Sequence, residues 1–124
     1  MPREISVPAG ATVPDLVERA MLRCSQEYGE ALTLPHTSHI EQAHRAERLA
    51  VVCERRARWW GVLLRWVFSA DCTLPWVFGA AVLDARRRDE DDARFWRHAA
   101  TEWHTEHTAR GIADPFDRAA GRAS

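Results

Sequence analysis

The chain has 124 residues, of which 46% are hydrophobic, and this size and composition fit a single domain with one modest core. Its 17 basic residues nearly balance its 18 acidic ones, and the formal net charge of −1 argues against a domain-wide basic field for binding nucleic acid. The three cysteines are widely spaced without a CxxC pair, which indicates neither a disulfide framework nor a thiolate zinc site.

Residue usage and the N-terminus predict where the protein comes from and where it acts. Every basic residue other than His is Arg, and Lys and Asn are absent, as is typical of GC-rich codons. We therefore expect a bacterial source. The opening residues, MPREISVPAGATVP, contain no apolar signal core, so we expect a cytoplasmic protein.

The first helix is predicted at about residues 13–31, after an extended lead-in over residues 1–12. Thr12 is suited to cap it, and Pro14 fits the first turn. Its apolar residues recur at three-four spacing and predict one buried face, which comprises Leu16, Val17, Ala20, Met21, Cys24 and Tyr28.

The second helix is predicted at about residues 39–70. Ser38 and Glu41 form the pattern of a capping box, which places the start near His39. A seam of mostly small residues has heptad spacing and predicts close approach of another helix: Ala43, Ala46, Ala50, Cys53, Ala57, Trp60, Leu64 and Val67. A second apolar stripe widens this face and predicts a second neighbour: Leu49, Val52, Trp59, Leu63 and Trp66.

The third helix is predicted at about residues 75–110, after a turn at Asp71–Leu74. Thr73 is suited to cap it, and the residues after Pro75 are predicted to pack back on the second helix: Trp76, Val77, Phe78, Ala81, Val82 and Ala85. The run RRRDEDD at residues 86–92 either continues the helix through i,i+4 ion pairs or divides it in two. We favour one helix because no Gly or Pro interrupts it, with Gly111 as its stop and residues 112–124 as an extended or partly ordered end.

These patterns predict an all-α fold of three to four helices in one domain over residues 1–124. A long antiparallel hairpin, about 39–70 and 75–110, carries the shorter N-terminal helix packed on it. Matched positions in such a hairpin place His39 opposite His104 and His36 opposite His107.

The stretch from Trp59 to Leu83 holds four of the six Trp and only two charged residues, and it predicts a contact surface. We expect a non-catalytic interaction or regulatory protein, and a homodimer in particular, with the contact formed by Trp59, Trp60, Leu63, Trp66, Trp76 and Phe78. Insertion into a membrane is disfavoured because each apolar arm has about twelve residues, against the ~20 that a spanning helix requires.

Two other sites are predicted in addition to this surface. If the hairpin brings His36, His39, His104 and His107 together, their imidazoles suit Zn²⁺ or a similar divalent transition metal. Two Arg clusters on the facing arms suit phosphate or nucleic acid, and they comprise Arg55, Arg56 and Arg58 with Arg86, Arg87 and Arg88. The sequence contains no nucleophile elbow and no phosphate-binding glycine loop. It therefore leaves open whether the protein is an enzyme but favours a protein without catalytic activity.

Overall fold

A computed structural model of the chain describes residues 10–123, with side chains described for residues 10–111. This part of the chain is all-helical, with three helices and no strand: α1 at Val13–Leu32, α2 at His39–Val67 and α3 at Trp76–Ala123. The predicted fold class, a long helical hairpin with a shorter N-terminal helix, is confirmed. The prediction for residues 1–9 and Ser124 lies outside the described residues.

Both of the first two helices begin at a capping box, as their sequences predict. The Thr12 hydroxyl accepts from the Asp15 N–H at 3.3 Å, while the Asp15 carboxylate accepts from the Thr12 N–H at 3.0 Å. Ser38 and Glu41 repeat the arrangement at the start of α2, with both hydrogen bonds at 3.1 Å. Each box satisfies two N–H groups that would otherwise have no partner at a helix start.

The two predicted faces that lie inside the molecule are confirmed. Along α1 the buried residues are Val17, Ala20, Cys24 and Ala31. Along α2 the predicted seam is buried at Ala43, Ala46, Ala50, Cys53, Ala57 and Val67 and half-buried at Trp60 and Leu64. Leu49 and Val52 of the second stripe are fully buried, whereas Trp59, Leu63 and Trp66 are half-buried. The second stripe was predicted to serve a second neighbour, and α2 does pack on both α1 and α3.

The hairpin is antiparallel, since contacts later in α2 fall earlier in α3. His104 contacts Glu47, Arg97 contacts Glu54, and Asp89 contacts Trp60. The charge run at residues 86–92 lies within the continuous α3, and its Arg86–Glu90 pair forms at 3.3 Å. We therefore confirm the prediction of one helix through this run.

The predicted limits of the hairpin arms were partly wrong. α2 ends at Val67, not at residue 70, and α3 begins at Trp76, so Thr73 lies too far from its start to cap it. At the other end α3 continues past Gly111 to Ala123, whereas the sequence predicted a stop at Gly111 and an extended end. A helical Gly costs only about 1 kcal/mol relative to Ala, so it permits a stop without requiring one.

The start of α3 extends beyond the end of α2 by about one turn. Gly79 lies level with the end of α2, because a Cβ added to Gly79 would lie 3.4 Å from Val67 Cγ1. The prediction that this segment packs back on α2 is confirmed at Val82, which is buried, and Ala85 is half-buried. It was wrong for four residues that are exposed: Trp76, Val77, Phe78 and Ala81. The residues before Gly79 have no part of α2 beside them.

Candidate functional site

The closed end of the hairpin carries a group of exposed apolar side chains, which we call the apolar tip: Phe68, Leu74, Trp76, Val77 and Phe78. These five account for more than half of the nine large apolar residues that are exposed in the described part of the chain. Trp76 is 78% exposed and Phe68 is 70% exposed. Among the residues whose side chains are described, the tip is therefore the largest group of exposed large apolar residues.

The tip has a packed base. The Phe68 side chain lies against α3, because a Cβ added to Gly79 would come within 2.8 Å of Phe68 Cζ. The absence of a side chain at Gly79 thus allows the ring to rest on the backbone of α3. The Phe78 N–H donates to the Pro75 carbonyl at 3.0 Å, which holds the first turn of α3. Charged residues border the tip, with Arg65 and Asp71 both exposed.

The structure divides the six predicted contact residues into two groups. Trp76 and Phe78 belong to the apolar tip, whereas Trp59, Trp60, Leu63 and Trp66 are half-buried on α2. Trp60 and Leu63 line an open apolar groove of about 350 Å³, whose other wall is formed by Pro14, Met21 and Leu22 of α1. These two side chains therefore make contacts within the chain and also line a groove.

A buried carboxylate, which the sequence analysis did not single out, links α2 to α3. Asp89 is only 5% exposed. Its carboxylate accepts from the Trp60 indole N–H at 2.8 Å and from Arg56 at 3.3 Å. Burial raises the pKa of Asp89, against the lowering effect of the Arg56 charge and the two hydrogen bonds. The signal was its spacing, since Asp89 continues the buried positions Val82 and Ala93 at intervals of seven and four.

Three of the four histidines of the predicted metal site contact other groups. His39 stacks near Trp103 with 5.3 Å between ring centroids, while His36 Nδ1 lies 3.0 Å from the Leu34 carbonyl in its own linker. His107 is exposed. Trp103 precedes His104 in α3, so His39 lies near the level of His104, but the two imidazoles have different partners.

His104 instead lies beside His44 and Glu47. Its Nε2 is 2.5 Å from a Glu47 carboxylate oxygen, and its ring centroid is 6.1 Å from that of His44. No group of three or more His, Cys, Asp or Glu in the described residues is placed to hold a metal ion. Metal binding through the four histidines stays a prediction, which measurement of metal content in the purified protein would test.

Most of the arginines in the two predicted clusters contact carboxylates within the chain. Arg55 binds Glu27 of α1 at 2.7 Å, and Arg56 binds Asp89 of α3 at 3.3 Å. Arg86 and Arg88 pair along α3 with Glu90 and Asp84. Arg55 and Arg56 therefore stabilise the packing of α2 against its neighbours, while Arg87 is exposed on α3.

The structure does bring Arg58 and Arg86 of opposite arms together. Both line a groove of about 390 Å³ between α2 and α3, which we call the arginine groove. Its other charged residues, Arg94, Arg97, Glu54 and Glu90, were not part of the sequence prediction. The spacing of residues 86, 90, 94 and 97 on one helical face was the signal that could have found them.

Comparison with protein-family models, with curated proteins and with solved structures found no match to this chain.

In the described residues, none of the three helices is both long and apolar enough to cross a membrane. This applies to α2 and α3 although both exceed the length of a typical globular helix. Charged side chains recur along both helices, including at Arg65, Asp84 and residues 86–92.

Proposed function

We propose that the protein is a non-catalytic helical interaction protein that associates with a second copy of itself through the apolar tip. The observation that carries the proposal is the exposure of Phe68 and Trp76 in the largest group of exposed apolar side chains among the described residues. Since an aromatic side chain has about 150–250 Å² of surface, the tip exposes on the order of 500 Å² of apolar area. Patches of this size are at the upper end for monomers and are often functional.

The area favours a contact that extends from the tip onto α2. A standard interface buries about 800 Å² on each partner, more than the tip alone supplies. The half-buried Trp59 and Trp66 lie on the last three turns of α2, next to the tip in sequence. We therefore propose that the contact includes these two residues, as part of the surface predicted from the sequence.

The charges at the border of the tip suit a two-fold contact with a second copy. In a symmetric dimer, residue i of one copy meets residue j of the other, and the reverse contact forms as well. Arg65 and Asp71 are both exposed and of opposite charge, so such a pairing places each beside its complement. The near-neutral net charge of −1 adds little repulsion between copies.

The test is the mass of the protein in solution, measured by light scattering across micromolar concentrations. We expect a dimer for the unmodified chain and a monomer for the double variant Trp76→Ser/Val77→Ser. The circular dichroism of the variant should stay helical, because both side chains are largely exposed and contribute little to the core.

A matched control replaces two other exposed apolar residues, as Leu22→Ser/Phe95→Ser. These are 66% and 63% exposed and lie on α1 and in the middle of α3. We expect this variant to remain a dimer. A monomeric unmodified chain would refute self-association, and dissociation of the control variant as readily as the tip variant would refute the tip as the contact.

A further inference from the structure

The arginine groove combines a small apolar floor with charged walls. Ala57 of α2 and Ala93 of α3 form the floor, and both are buried. Four arginines and two glutamates form the walls: Arg58, Arg86, Arg94, Arg97, Glu54 and Glu90. Its volume of about 390 Å³ falls within the range of small-molecule sites.

Both glutamates of the groove are already paired with two of its arginines. Arg97 binds Glu54 across the two helices with two hydrogen bonds of 2.9 and 2.7 Å. This contact lowers the pKa of Glu54, so the carboxylate stays charged at neutral pH. Arg86 pairs with Glu90 at 3.3 Å. The two pairs hold the walls in place while their charges cancel.

Two guanidinium groups remain for a ligand. Arg58 is exposed and makes neither an ion pair nor a hydrogen bond with any residue in the described part of the chain, although its charge acts on Glu54 nearby. Arg94 contacts Asp91 of its own helix, but both side chains are more than two-thirds exposed, and such surface pairs contribute about 0–1 kcal/mol. An anion that binds more favourably can therefore displace this contact.

We infer that the arginine groove binds a small organic phosphate. The walls carry two positive charges in excess, which matches the charge of about −1.5 to −2 on a phosphate monoester at pH 7. Guanidinium groups present paired N–H donors whose geometry fits phosphate oxygens. The alanine floor then receives the carbon part of the ligand, because it offers apolar surface without blocking side chains.

A small ligand fits better than a nucleic acid. An extended polyanion needs a row of available cations, yet Arg55, Arg56, Arg86 and Arg88 are paired with acids on several faces of the molecule. The arginines left at the groove are confined to one site. A compact phosphate therefore matches the distribution of charge, and an oligonucleotide serves as a comparison in the test.

The test uses phenyl phosphate as the probe and isothermal titration calorimetry as the measurement. We expect saturable binding of phenyl phosphate, with inorganic phosphate weaker because it lacks the part that contacts the floor. The variant Arg58→Ala/Arg94→Ala should weaken binding at least tenfold. Both side chains are exposed, so the variant is expected to fold, which circular dichroism checks.

The matched control is Arg23→Ala/Arg87→Ala, which removes the same charge from exposed positions outside the groove. We expect its affinity for phenyl phosphate to stay within twofold of the unmodified chain. No saturable binding by the unmodified chain, or equal weakening in both double variants, would overturn the inference. Tighter binding of an eight-residue thymidine oligonucleotide, weakened equally by both variants, would also overturn it in favour of a diffuse basic surface.

Discussion

The indole N–H of Trp60 donates a 2.8 Å hydrogen bond to the buried carboxylate of Asp89, joining the two arms of the hairpin. Arg56 lies one turn before Trp60 on α2 and holds the same carboxylate at 3.3 Å. Asp89 lies in an otherwise apolar seam, and each of its two carboxylate oxygens thereby accepts one hydrogen bond. This polar contact favours the observed pairing of α2 with α3, since shifting either helix by one turn would leave at most one of the two donors beside the buried carboxylate.

Removing the Trp60 donor is expected to destabilise the fold. In Trp60→Phe the Asp89 carboxylate stays buried with only Arg56 as a donor, and losing a hydrogen bond to a charged group costs about 1.5–3 kcal/mol. Urea denaturation followed by circular dichroism measures the loss. Trp59→Phe is the control, because Trp59 makes no hydrogen bond with any residue that the structure describes, and it should lose under about 1 kcal/mol. Equal losses in the two variants would contradict a structural role for the Trp60 hydrogen bond.

Asp89 and Glu54 are expected to give opposite pH dependences of stability. Burial raises the pKa of Asp89 above its ordinary 3.8. The folded state then binds the proton of this carboxyl more tightly than the unfolded state does. The resulting contribution to the free energy of unfolding is fully present below pH 3.8 and is lost as pH rises through the folded pKa. The free energy of unfolding of the unmodified chain, taken relative to Asp89→Asn, should therefore fall with rising pH.

Glu54 supplies the matched comparison for this titration. The hydrogen bonds from Arg97 lower the pKa of Glu54 below its ordinary 4.5. Its contribution is present above pH 4.5 and is lost as pH falls through the folded pKa, so stability relative to Glu54→Gln should increase with rising pH. Denaturant titrations between pH 3 and pH 7 measure both differences. Parallel slopes for the two variants would contradict the assignment of a buried Asp89 and a paired Glu54.

The two buried glycines of the hairpin are expected to respond differently to alanine. A Cβ at Gly61 would lie 3.7 Å from Arg86 Cζ, which is an ordinary contact, so Gly61→Ala should raise the free energy of unfolding by about 0.5–1 kcal/mol. At Gly79 the Cβ would lie 2.8 Å from Phe68 Cζ, and the ring must move. We expect Gly79→Ala to raise the free energy of unfolding by less than Gly61→Ala does, or to lower it. Thermal denaturation of both variants is the measurement, and an equal gain would show that Phe68 does not rest on Gly79.

Only Cys72 is expected to react with a thiol reagent in the native protein. Cys72 is half-exposed in the loop, whereas Cys24 and Cys53 are buried. Burial raises the pKa of Cys53 to about 11 and also raises that of Cys24, so both stay as thiols at neutral pH. Titration with Ellman's reagent at pH 8 should count one thiol before denaturation and three after it. Cys72→Ser should count none in the native state; fast reaction of that variant would contradict the burial of the other two.

The candidate contact surface was partly predictable from sequence. The concentration of Trp and Phe around Trp66 and Trp76 indicated an apolar surface, but it could not separate residues that pack from residues that remain uncovered. The sequence predicted that Phe78 packs back on α2, and the structure leaves it 47% exposed. Periodicity gives the face of a helix on which a residue lies, but not whether a neighbouring helix reaches that level.

The number of helices and most of their buried residues could be predicted from the sequence. Capping at Thr12 and Ser38 depends on residues within one turn, and the seam from Ala43 to Val67 follows from the period of one helix, so both could be predicted without knowing what packs against them. The offset between the two arms could not be predicted, because it depends on how unlike side chains on separate helices fit together, above all Phe68 on Gly79 and Trp60 on Asp89. That offset leaves Trp76 beyond the end of α2 and therefore exposed.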